Sequence, residues 1–79
     1  MTIHAPITDE IDASGLLCPL PVLKARKRLL GMAKGGVLRL IATDPAAVID
    51  VPHFCAESGH DLLSCDTQSA PQIYLIRRG

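Results

Sequence analysis

The sequence predicts an α/β chain of the two-layer α+β sandwich type, ordered β-α-β-α-β-β, with two helices on one face of a mixed four-stranded sheet. Three observations lead there. Two helical segments, one from Cys18 to the Gly35-Gly36 pair and one from Asp44 to Gly59, are interleaved with short strand-like runs at 8–13, 37–43, 61–65 and 72–77. The chain has 79 residues, and a chain of that size buries only about 60–65 % of its unfolded surface, which limits it to one sheet and one helical layer. Hydrophobic residues make up 48 % of it without any low-complexity tract, so it is globular rather than disordered.

Residues 1–7 read as a flexible N-terminal tail and 8–79 as a single domain. In "TDEIDA" (8–13) Ile11 and Ala13 alternate inward, and Ser14-Gly15 makes the turn. After Cys18 the period becomes helical: Val22, Ala25, Leu29, Met32 and Ala33 share one face, with Lys24, Lys27 and Arg28 on the other. Gly35-Gly36 is expected to end that helix. "VLRLIAT" (37–43) is a strand whose Leu38, Leu40 and Ala42 face the helices; Arg39 behind it indicates a sheet covered on one side only. Asp44 then serves as N-cap and Pro45 as first helical residue of the second helix, with a break expected near Asp50-Val51 because Pro52 comes too late for a first turn. Gly59 closes it, and "DLLSC" with "QIYLIR" form a terminal hairpin. The first strand–helix–strand unit implies a parallel pair and the last two strands an antiparallel one.

Net charge is zero, yet Lys24, Arg26, Lys27, Arg28 and Lys34 cluster without an acid between them, and residues 40–76 hold five acids and no Lys or Arg. The balance argues against general nucleic-acid coating, and one Phe, one Tyr and no Trp leave little for base stacking, which counts against direct nucleic-acid binding. The opening residues lack an export signal and no apolar run is long enough to span a membrane, which points to a cytoplasmic, membrane-independent protein. Three cysteines without a C-x-x-C pair point to free thiols.

The stretch "ASGLLCPLPVL" (13–23) is the most informative. With Cys18 at the N-cap, Pro19 falls at the first helical position and Pro21 at the third, where first-turn amides lack an intrahelical acceptor and prolines break nothing. They stiffen the turn that carries the thiol. Amides of Leu20 and Val22 and the positive end of the helix would favour an anionic sulfur, so the turn is a pedestal for a thiolate or persulfide. Cysteine caps poorly, so a bland capping role is the weaker account. Leu20, with Lys24 and Lys27 on its side of the helix, has the make-up of a docking patch.

"DASGLLCPLPVLKARKRL", "ATDPAAVIDVPHFCAESGHDLL" and "YLIRRG" together resemble the TusA/SirA family of small sulfur-carrier proteins, in matching order over nearly all of residues 10–79. The C-P-x-P element is its most specific mark, with Gly15, Pro19, Pro21, Asp44 and Pro45 as motif positions. The resemblance implies that Cys18 carries sulfur as a persulfide, taken from a cysteine desulfurase or other sulfur donor protein and passed to the cysteine of an acceptor sulfurtransferase. In some members this feeds 2-thiouridine formation in tRNA, in others dissimilatory sulfur oxidation. It implies no cofactor and no metal, and the exposed loop at 16–20 points to a monomer that docks transiently.

Other candidates weigh less. Cys55 lies on the apolar side of the second helix and reads as buried and inert; Cys65 fits either face of its strand. His53, Cys55, His60 and Cys65 lack zinc-site spacing, and His60 suits the helix-end carbonyls. Arg26 falls in the apolar stripe, to snorkel, pair with Asp44 or Asp50, or contact a donor protein. The rival functions are a non-catalytic interaction or RNA-binding module using the basic helix, and a thiol redox sensor.

Overall fold

The computed structural model describes residues 6–79. Six elements appear in the expected order: β1 (Asp9–Ala13), α1 (Leu20–Leu30), β2 (Val37–Ala42), α2 (Ala47–Ser58), β3 (Asp61–Asp66) and β4 (Gln72–Arg77). The tail read at 1–7 falls largely outside the described residues. Residues 6–8 have no regular structure, and the Thr8 N–H donates to the Val37 carbonyl at 2.8 Å, just ahead of the β1–β2 pairing.

The sheet order is β1-β2-β4-β3. β1 and β2 run parallel with Ile11 opposite Leu40, and β2 and β4 run antiparallel with Leu40 opposite Tyr74. Because strand side chains alternate, that register collects Ile11, Ala13, Leu38, Leu40, Ala42, Tyr74 and Ile76 on one face. They form one cluster with Ala25 and Leu29 of α1 and Val51, Phe54 and Cys55 of α2, so both helices cover the same side. Alanines at 13, 25 and 42, all fully buried, let the backbones approach closely. On the other face Arg39 is half-buried and pairs with Glu10 on β1 at 2.6 Å, its direct neighbour in the register.

β3 is the thin edge of the sheet. Its register with β4 slips between Leu62 and Ser64, leaving Leu63 as an extra residue, and only Leu62 packs against the core. Cys65 stands opposite Tyr74 yet is exposed.

Several boundaries differ from the sequence expectation. α1 stops at Leu30, where Gly31 donates to Arg28 and Met32 to Leu29, a tightened i→i−3 finish. Ala33 is therefore outside the helix and exposed. Gly35, at φ +88°, instead forms the entry to β2: its N–H reaches the Arg78 carbonyl at 2.9 Å, and Arg78 returns a bond to Gly36. α2 begins at Ala47, two residues later than a helix started by Pro45, after a lead-in of i→i−3 bonds such as Ala47 N–H to Asp44 O. No break occurs at Asp50-Val51, and Pro52 lies inside a continuous helix. The bond it removes would have gone to the carbonyl of Val48, a residue 41 % exposed, where a missing donor costs less than in the core. Gly59 does close α2, at φ +74°, with the His60 N–H on the Cys55 carbonyl.

Leu40 is fully buried at the centre of the register, whereas Ile49 is 75 % exposed. Leu40→Ala should lower the unfolding free energy by about 2–5 kcal/mol in a urea titration, and Ile49→Ala should leave it within about 0.5 kcal/mol.

Candidate functional site

The loop between β1 and α1 is held from the start of α2. Gly15, at φ +81°, takes the turn conformation that disfavours any residue with a Cβ, and its N–H donates to Thr43 Oγ1 at 2.8 Å. The Cys18 N–H donates to Asp44 Oδ2 at 2.6 Å, while Asp44 Oδ1 accepts the Ala46 N–H at 3.1 Å. One carboxylate thus joins the cysteine turn to the α2 lead-in. Behind it, the Asp44 carbonyl accepts from Gln72 Nε2 at 3.0 Å, and the Gln72 amide oxygen accepts from the buried Tyr74 hydroxyl. The cysteine loop is anchored through this chain to the middle of the sheet.

Cys18 itself is exposed. It precedes the helix by one position more than expected: Pro19 is the flanking cap residue, Leu20 the first helical residue and Pro21 the second. The reason lies in the backbone bonds. Leu20 donates to the Leu17 carbonyl at 2.9 Å, and the first i→i−4 bond runs from Leu23 to Pro19. The Leu20 amide expected to face the sulfur is therefore already used. Pro21 does more than start the helix, since it is buried.

The electrostatics at Cys18 also differ from the expectation. The thiol is held above its ordinary value, first by a side-chain hydrogen bond with Asp50, then by desolvation and by the charges of Asp50 and Asp44. The carboxylates of Asp50 and Asp44 push the thiol up, opposite to the downward shift expected from a helix end.

Cys18 opens onto a cavity of about 250 Å³ between the two helices, lined also by Pro19, Val22, Asp50, His53, Phe54 and Glu57. His53 pairs with Glu57 at 3.1 Å one helical turn along. The basic residues are elsewhere. Lys24, Lys27 and Arg28 line a separate groove of about 400 Å³ with Asp9, Ile11 and Met32, and Arg28 is paired with Asp9 at 2.8 Å. The basic rim expected beside the thiol lies along α1 toward β1, and the wall next to the sulfur is acidic. Leu20 is 46 % exposed, next to exposed Leu17. Arg26 is exposed and makes no ion pair among the described residues, contrary to its placement in the apolar stripe.

The remaining candidates separate. Cys55 is 2 % exposed, and burial pushes its thiol up to about 11. His60 does not turn to the helix-end carbonyls; its Nδ1 accepts the Gly79 N–H at 3.1 Å, and burial, with the Arg78 charge, lowers its pKa. Among the described residues no cluster of His, Cys, Asp and Glu could hold a metal ion. No helix among them is long and apolar enough to cross a membrane. Asp50, Phe54 and Glu57 are the site residues that sequence reasoning missed; the spacing of Asp50, His53 and Glu57 along one helix was the available signal.

Fold and turn define a small α+β domain that presents an exposed cysteine on a proline-stiffened loop. The family model described as Sulfurtransferase TusA matches residues 9–78, and the chain belongs to that family of sulfurtransferase and sulfur-carrier domains. Its fold is similar to that of a SirA-like protein from Desulfitobacterium hafniense, with a TM-score of 0.74 and 22 % identity over 89 % of this chain and 95 % of that one.

Asp44→Ala should cost about 1–3 kcal/mol, because it strands the Cys18 and Ala46 amides. Hydrogen exchange should show the Cys18 amide losing protection in that variant while the β2 amides keep theirs. A second outcome concerns Cys55. Its folded pKa of about 11 exceeds the ordinary 9.0, so the folded state keeps a proton that the unfolded state releases. The contribution is complete below pH 9.0 and lost as pH rises toward about 11. Urea midpoints measured across that window should fall less in Cys55→Ala than in the wild type.

Proposed function

We propose that this protein is a sulfur carrier that accepts sulfane sulfur as a persulfide on Cys18 and relays it to a cysteine of an acceptor protein. The observation that carries this is Cys18 itself, exposed on a turn that Asp44 fixes from the opposite side, in a chain of the sulfurtransferase family. A carrier needs its sulfur within reach of two partners in succession, and a rigid projecting turn provides that without a closing lid.

In loading, the Cys18 thiol loses its proton and its Sγ bonds to the terminal sulfur of a donor persulfide. The donor's S–S bond breaks and its electron pair stays on the donor cysteine. In unloading, the acceptor thiolate attacks the terminal sulfur on Cys18, and the Cys18 thiolate leaves. Both steps are exchanges at constant oxidation level, so no external oxidant or reductant enters. A cysteine desulfurase fits the donor role and an acceptor sulfurtransferase the other, in tRNA thiolation or in sulfur oxidation. Exposed Leu17 and Leu20 supply apolar contact beside the sulfur, and Lys24, Arg26 and Lys27 supply positive charge farther along α1 to steer an acidic surface.

The test is direct. With a cysteine desulfurase and cysteine, followed by alkylation, wild-type protein should gain about 32 Da over the simply alkylated form, as a persulfide requires. Cys18→Ser should gain nothing, and Cys65→Ser should gain as much as wild type. An equal gain in Cys18→Ser sinks the assignment.

A further inference from the structure

The cavity beside Cys18 has a composition that the relay role alone does not require. From the cap and first turn of α1 it receives Pro19 and Val22, which carry no charge; from α2 it receives Asp50, His53, Phe54 and Glu57. Outside its lining, Asp44 of the β2–α2 loop accepts the Cys18 amide. His53 is engaged with Glu57, and none of the ion pairs among the described residues involves Asp50. The cations of α1 line the other groove. Asp50 therefore shares a cavity with the Cys18 thiol and has no ion-pair partner among the described residues, in a cavity with an apolar wall and an acidic one.

We infer that Asp50 restrains Cys18 in the free carrier, and that a partner releases it by placing a lysine or arginine side chain in this cavity, confining sulfur exchange to the docked complex. The fit is chemical. Lysine and arginine have an apolar stem that suits Pro19, Val22 and Phe54, and a charged head that suits Asp50 and Glu57. Neutralising Asp50 frees the thiol proton to solvent and leaves the nucleophilic thiolate. Asp50 thereby acts as a specificity-determining residue: small persulfides, electrophiles and oxidants bring no such cation and meet a protonated thiol. The inference rests on the carrier role of Cys18, but its first measurement does not involve sulfur transfer.

Wild type, Asp50→Asn and Asp50→Glu would be alkylated with iodoacetamide from neutral to alkaline pH, with the Cys18 peptide followed by mass. Asp50→Asn should react faster at neutral pH, its profile moving to lower pH, and Asp50→Glu should stay near wild type. Sulfur loading would then be compared between glutathione persulfide and a persulfide-bearing cysteine desulfurase. Asp50→Asn should speed the first and leave the second unchanged or slower, so that discrimination narrows. An Asp50→Asn variant alkylated no faster than wild type overturns the restraint, as does an Asp50→Glu variant as fast as Asp50→Asn. Wild type that loads equally well from both donors overturns release by docking. If no carrier gains sulfur from the desulfurase, the relay role falls and release by docking with it, while the alkylation rates still decide whether Asp50 holds the thiol.

Discussion

The carboxylate of Asp44 is the joint of this molecule. It accepts the Cys18 amide with one oxygen and the Ala46 amide with the other, so the turn before α1 and the turn before α2 share one anchor. Hydrogen bonds to a charged acceptor are the stronger kind, worth about 1.5–3 kcal/mol against roughly 1 for a neutral pair. The Gln72–Tyr74 chain behind it reaches into the core, and a buried amide in that position fixes which way the loop lies. The positions of the two helix entrances, and hence of the sulfur, follow from that single acid.

The same anchor has an electrostatic consequence. Asp44 adds negative charge near a sulfur that shares its cavity with Asp50, and both raise the thiol's pKa. A helix end, by itself, would have favoured the anion. Asp44 thus serves twice, placing the sulfur together with the prolines and, with Asp50, raising the thiol's pKa.

Much of the fold was legible in the sequence because its periods are clean. Ile11 and Ala13, then Leu38, Leu40 and Ala42, alternate and are all buried, with Val37 the one buried residue out of phase in β2. Helix ends were less legible. The Gly35-Gly36 pair reads as the stop, yet α1 ends before Gly31, and only the long-range bond from Gly35 to Arg78 shows that the pair serves the sheet. Pro52 reads as a breaker because sequence alone does not reveal that its missing donor falls near exposed Val48. At the site, Cys18 and its prolines stand out by local chemistry, whereas Asp50 lies 32 positions away and joins them only through the packing of α2 against α1. The direction of the thiol's shift was hidden for the same reason: local sequence shows the helix dipole, and the opposing acids come from another element.

The extra residue in β3 has a further effect. An exposed sheet margin normally offers a continuous row of amides and carbonyls on which a foreign strand can grow. Here Leu63 interrupts that row, with Asp66 at one end and the Asp61–Arg77 ion pair at the other. That margin is thereby a poor template for zippering copies of the chain together.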